Sequence, residues 1–318
     1  MTTDWTADQS WTDVSLADAA AAVLIIGHGT RDPAGLAEFQ FFVDQVAQQR
    51  TDWHVAGCFL ELAEPSIAMA VDRLVASGMS RIRAMPLMLF SAGHAKRDIP
   101  DALAQAIARH PGVEIELCPP LGCHPAILDL SVERCRQALA EQTAVSPDET
   151  LLILVGRGSS DVEATAQMRR LADLRRAGAP SNGVGRESTF AAESSRAREG
   201  SAVPVETGDA RTSADEAHLR LAHIEIGFVA VATPSLGKVL EEAAQTDFRR
   251  VIVQPHLLFA GSVLAEIHRL VARQQLAEAG GNTSDRQWMV TEALGPDRRL
   301  VTAVVDIVSA ATPRAHGD

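Results

Sequence analysis

Val23-Leu24-Ile25-Ile26-Gly27-His28-Gly29-Thr30-Arg31-Asp32 runs from an unbroken apolar segment directly into a histidine flanked by glycines. An apolar run this short, ending in a Gly-containing turn, predicts a strand at Val23–Gly27 covered on both faces. Leu36, Phe39, Phe42, Val43 and Val46 then recur at helical spacing, so a helix follows the strand. The same unit returns at Gly156-Arg157-Gly158-Ser159-Ser160-Asp161, again behind an apolar strand. Two further blocks repeat in order. Phe59 with Glu64-Pro65-Ser66 matches Phe228 with Thr233-Pro234-Ser235, and Pro86-Leu87-Met88-Leu89-Phe90 matches Pro255-His256-Leu257-Leu258-Phe259. The first block repeats after 129 residues and the other two after 169, which places an insertion of 40 residues between the first and second blocks of the second half.

Between these blocks, strands are expected at His54–Leu60, Arg81–Leu89 and Val113–Cys118. Helices are expected at Ser66–Ala76, Ile99–Ala108 and Pro125–Leu139. Strands alternating with helices predict an α/β fold of two duplicated parallel-sheet domains. The first lobe spans 21–145 and the second 146–318, with residues 1–20 as a loose N-terminal tail. Residues 178–215 are rich in Gly, Ser, Ala, Glu and Arg without sustained periodicity, and are expected to form a disordered surface insertion.

Composition narrows the function classes. The chain has 318 residues, with 29 Lys plus Arg against 41 Asp plus Glu, for a net charge of −12. That balance disfavours a general nucleic-acid binder, which must attract phosphate. No apolar run approaches the ~18 residues that a membrane span requires, and the N-terminus lacks a basic start and an apolar core. The four cysteines (Cys58, Cys118, Cys123 and Cys135) lack CxxC spacing and read as reduced thiols. A cytoplasmic protein acting on a small molecule is expected.

In open parallel sheets, ligands bind at the carboxyl ends of the strands. His28 follows the first strand, Glu61 and Glu64 the second, His94 the third and His124 the fourth. Imidazole and carboxylate together suit divalent Fe, Co, Ni and Zn, and neutral imidazole also accepts protons near pH 7. His124 precedes Pro125 and is equally suited to capping a helix. Arg31, Lys96 and Arg97 stand on the same rim, where cations match an anionic ligand.

Ile26-Gly27-His28-Gly29-Thr30-Arg31-Asp32, Phe59-Leu60-Glu61-Leu62-Ala63-Glu64-Pro65-Ser66 and Gly93-His94-Ala95-Lys96-Arg97-Asp98-Ile99-Pro100 together resemble the signature blocks of the sirohydrochlorin chelatases. These are class II, ATP-independent enzymes. The resemblance implies two flavodoxin-like lobes holding the tetrapyrrole sirohydrochlorin between them. It implies insertion of Co²⁺, or alternatively Fe²⁺, in cobalamin or sirohaem synthesis; the same donor set also accepts Ni²⁺. The divalent metal is then a substrate, with no organic cofactor and no ATP. His28 and His94 would bind the metal and help remove pyrrole protons, with Glu61 or Glu64 as the nearby carboxylate. Arg31, Lys96 and Arg97 would meet substrate carboxylates.

The second half departs from the pattern. Arg157 stands for His28 and Val263 for His94, so this lobe is expected to form the opposite wall, with Arg157 facing the substrate. His256 stands for Leu87, and His256→Leu is expected to be tolerated. One chain carries both walls, so a monomer is expected to suffice, without nucleic-acid or membrane partners. Two rival readings are a metallochaperone using the same histidines and a histidine-phosphatase-like phosphoryl transferase. Gly27 opposes the latter, because that family carries Arg directly before its histidine.

Overall fold

The computed structural model describes residues 21–90, 94–140, 145–178, 221, 223–279 and 285–310. The expected tail 1–20, and all of the expected insertion 178–215 except Gly178, lie outside the described residues. Gly178 itself closes its helix in the left-handed conformation, at φ 61°.

Two parallel sheets of four strands carry the molecule. The first comprises β1 (Ala21–Gly27), β2 (Trp53–Phe59), β3 (Arg81–Pro86) and β4 (Glu114–Leu117), in the order β2-β1-β3-β4. The second comprises β5 (Thr150–Gly156), β6 (His223–Phe228), β7 (Arg250–Pro255) and β8 (Gln287–Val290), in the order β6-β5-β7-β8. The duplication therefore extends to strand order. β3 is shorter than its apolar run, because Pro86 has no N–H to continue the ladder.

Helices α1 (Pro33–Gln49), α2 (Ile67–Ala76), α3 (Ile99–Arg109) and α4 (Pro125–Leu139) follow the strands of the first half. The second half supplies α5 (Val162–Ala177), α6 (Leu236–Ala244), α7 (Ser262–Ala279) and α8 (Arg298–Ala310). Period-two alternation in β1 separates two cores. Val23 and Ile25 face Phe39, Phe42 and Val46 of α1, whereas Leu24 and Ile26 face Ile67, Val71, Ile99 and Leu103 of α2 and α3.

The last helix of each half departs from simple tandem order. Leu300, Val301, Val304 and Val308 of α8 complete the first sheet's core beside α1. Leu128 and Cys135 of α4 enter the second sheet's core beside α5, while Ile127 and Leu130 of the same helix reach the first. The seam is tied by polar contacts. Arg83 Nη1 donates to the Val308 carbonyl at 2.7 Å, and Arg134 donates to the Ala293 and Leu294 carbonyls at 2.8 and 2.5 Å. Each sheet thus depends on a helix from the other half.

β2 and β3 flank β1 on opposite sides, so the loops leaving β1 and β3 diverge and open a crevice at the strand ends. Residues at the strand ends of both lobes, among them His28, Leu87, Arg157 and His256, line one cleft.

Candidate functional site

Gly29 sets the geometry of the first loop. Leu60 N donates to the Gly27 carbonyl at 2.9 Å and Glu61 N to the His28 carbonyl at 3.1 Å, stitching the loops after β1 and β2 together. The stitching is so close that a Cβ on Gly29 would lie 1.8 Å from the Glu61 carbonyl oxygen, and its φ of 99° excludes most side chains independently. Asp32 then caps α1 by accepting from Ala34 N at 2.9 Å.

This arrangement brings His28 Nε2 to 3.5 Å from Glu61 Oε1, with the two side chains 31% and 45% exposed. The other ring nitrogen, Nδ1, lies 3.3 Å from the Gly29 carbonyl. A carbonyl only accepts, so Nδ1–H donates to it, and in the neutral ring Nε2 turns a lone pair toward Glu61. Two electron-pair donors at this separation suit a shared cation. Bonds of about 2.1 Å in tetrahedral geometry set two ligands about 3.4 Å apart. Glu64 is exposed, one residue before Pro65, and has no described contact with His28.

The second lobe repeats the scaffold with different side chains. Val229 N and Ala230 N donate to the Gly156 and Arg157 carbonyls at 3.1 and 2.9 Å, and a Cβ on Gly158 would lie 1.8 Å from the Ala230 oxygen. Arg157 therefore replaces His28, and Ala230 replaces Glu61.

Between the lobes lies a cavity of about 620 Å³. Its apolar wall includes Leu89, Phe90 and Met168, and His28, Arg97 and Arg157 also line it. A flat, largely apolar molecule with anionic edges suits such a lining. Arg31 is exposed and does not line the cavity.

Lys96 is placed differently from the sequence expectation. Its ammonium donates across the cleft to Asp161 Oδ2 at 2.8 Å and Glu163 Oε2 at 2.6 Å, at the start of α5. The Asp161 and Glu163 acceptors raise the Lys96 pKa, and Lys96 lowers that of Asp161. Lys96 thus meets carboxylates of its own chain. His94 opens a π-helical turn, His94–Asp98, that leads into α3; its side chain lies outside the described residues.

That turn takes up one extra residue. Phe90 and Phe259 are 169 residues apart, but the equivalent buried pairs Ile99/Ile267 and Leu103/Val271 are 168 apart. Widened turns of this kind recur at functional sites. His124 caps α4, with Nδ1 accepting from Ala126 N at 3.3 Å, and burial lowers its pKa. Among the described residues, no three His, Cys, Asp or Glu side chains gather as a metal cluster. Sequence reasoning missed both the carboxylate partners of Lys96 and the position of His256 in the cleft wall. The first needed three-dimensional contacts, whereas the second was signalled by a histidine standing where the sister strand has leucine.

Comparison with known proteins places these features in a family. A family model described as CbiX matches residues 22–138 and again 195–311. The sirohydrochlorin ferrochelatase of Priestia megaterium is 27% identical over 274 residues, covering 86% of this chain and 84% of that protein. The sirohydrochlorin cobaltochelatase of the same organism is 24% identical over 259 residues, covering 80% and 70%. Among solved structures, SirB from Bacillus subtilis with Fe³⁺ aligns with a TM-score of 0.69 at 22% identity, over 92% of this chain and 95% of that one. At that identity the likeness concerns the fold.

Proposed function

The chain belongs to the CbiX family, and from that premise we propose that it inserts a divalent cation, Co²⁺ or Fe²⁺, into sirohydrochlorin held in the cleft between its lobes. The observation that carries this reading is the His28–Glu61 pair, one imidazole and one carboxylate 3.5 Å apart, with His28 in the wall of an otherwise largely apolar cleft.

Metallation exchanges two pyrrole N–H protons for one divalent ion. The site must release its metal, and one nitrogen with one carboxylate oxygen holds Co²⁺ or Fe²⁺ more loosely than thiolates hold a structural ion. As the cation leaves for the ring, the freed His28 imidazole accepts a pyrrole proton. His94 is proposed as the second metal-binding base, on the strength of its position in the signature block and of the π turn that carries it. Arg97 and Arg157 line the cleft and meet the substrate's peripheral carboxylates. The exchange of protons for a cation proceeds without ATP or an organic cofactor. Both walls belong to one chain, so a monomer suffices. Four free thiols favour a reducing, cytoplasmic setting.

The test is metallation by purified protein under anaerobic conditions, followed by the absorbance change of sirohydrochlorin with Co²⁺, Fe²⁺ and Ni²⁺ in turn. The expected result is acceleration over the protein-free rate with Co²⁺ or Fe²⁺. A metallochaperone would bind metal and leave that rate unchanged.

A further inference from the structure

His256 stands at the end of β7, in the wall of the same cleft as His28. It is 2% exposed, and neither ring nitrogen has a hydrogen-bond partner among the described residues. Gln254, two residues earlier and fully buried, donates to the Ser131 carbonyl at 2.6 Å and accepts from Cys135 at 3.2 Å and Arg175 at 3.4 Å. The sister position, Leu87, is 3% exposed and lines the cleft too, so an apolar side chain satisfies this place in the fold. Leaving a buried imidazole nitrogen unmet costs stability. A histidine kept there without partners among the described residues points to a ligand in the cleft.

We propose that His256 is a substrate contact contributed by the second lobe, its imidazole lone pair accepting a hydrogen bond from a pyrrole N–H of the metal-free tetrapyrrole. This rests on the chelatase reading and specifies how that site tells substrate from product. Burial, with the nearby Arg175 charge, holds the His256 pKa down at about 3, so the ring is neutral and keeps an acceptor nitrogen at any working pH. Phe90 of the first lobe covers it, with ring centroids 5.3 Å apart, so the contact requires Phe90 to move aside. Once the metal is inserted the pyrrole N–H groups are gone, and the contact is lost with them. His256 thereby favours the free ring over the metallated one. The expectation that His256→Leu is silent is revised accordingly.

The experiment measures dissociation constants by tetrapyrrole absorbance, for metal-free sirohydrochlorin and for its cobalt complex, with wild type, His256→Leu and His256→Gln. His256→Leu should weaken metal-free binding about five- to tenfold, the worth of one hydrogen bond. It should leave the cobalt complex within about twofold of wild type, and His256→Gln, which keeps an acceptor, should recover most of the loss. His256→Met gives the same comparison should the leucine variant fold poorly. Unchanged metal-free binding, or an equal loss for both ligands, overturns the proposal. Wild-type metallation in the same preparation reports separately on the chelatase reading.

Discussion

Replacing Gly29 by alanine tests how the first loop builds the His28–Glu61 pair, the proposed metal site. The new Cβ would sit 1.8 Å from the Glu61 carbonyl oxygen, on a backbone with φ of 99°. Left-handed or otherwise strained φ/ψ in a residue with a side chain costs about 1–3 kcal/mol, and the contact with backbone forces the β2 loop to move besides. At about 2–4 °C per kcal/mol for a molecule of this size, the melting temperature should fall by roughly 2–12 °C. Gly158→Ala provides an internal control, with the same 1.8 Å contact, here to the Ala230 oxygen, and a φ of 93°. The two variants should lose similar stability and differ in chemistry. Gly29→Ala moves Glu61 away from His28 and should lower turnover at least tenfold. Gly158→Ala displaces Arg157 and should act chiefly on the Michaelis constant for sirohydrochlorin. Calorimetry and steady-state metallation on both variants read this out. Equal turnover losses, or a stable Gly29→Ala enzyme with normal turnover, would refute the reasoning.

Three further expectations follow from other contacts. Because the His256 pKa is about 3 in the folded chain against an ordinary 6.5, the unfolded chain binds the extra proton first as pH falls. Stability from this group is complete above pH 6.5 and drains by up to about 1.4 kcal/mol per pH unit below it. The stability of His256→Leu relative to wild type should therefore rise from pH 6.5 toward pH 4 in urea titrations, and parallel curves would contradict this. Lys96→Met breaks partly exposed ion pairs and should cost no more than about 1 kcal/mol; its Michaelis constant should rise less than that of Arg97→Met, because Lys96 is already engaged. Deleting α8 removes Leu300, Val301, Val304 and Val308, each at most 2% exposed. At about 1.5–3 kcal/mol apiece these rival the whole stability of a domain, so the truncated chain should be insoluble or unfolded by circular dichroism.

How much of this was legible in the sequence follows from the range of each interaction. The strands were readable because β1 and β5 are central and buried on both faces, leaving continuous apolar runs. The duplication was readable because Gly29 and Gly158 answer the same backbone collision, which only glycine relieves. The allotment of α4 and α8 was not. Their periodicity announces a buried face, but it does not say which sheet receives it. Lys96 was misleading for a related reason. A lysine in a basic block reads as a ligand for an outside anion until the fold brings Asp161 and Glu163, 65 and 67 residues away, within 2.8 Å. Glu61 and Glu64 were interchangeable as residue types, and the hydrogen bond from Glu61 N to the His28 carbonyl distinguishes them.

In the proposed division of labour the first lobe handles the metal, and the second, together with Arg97 of the first, holds the ring. The most direct test of this division compares steady-state metallation by His28→Ala and Arg157→Ala, which alter equivalent positions of the two lobes. His28→Ala should lose at least 90% of turnover while still binding metal-free sirohydrochlorin, and Arg157→Ala should keep turnover with a raised Michaelis constant. Turnover surviving in His28→Ala, or collapsing in Arg157→Ala with substrate affinity intact, would contradict this division.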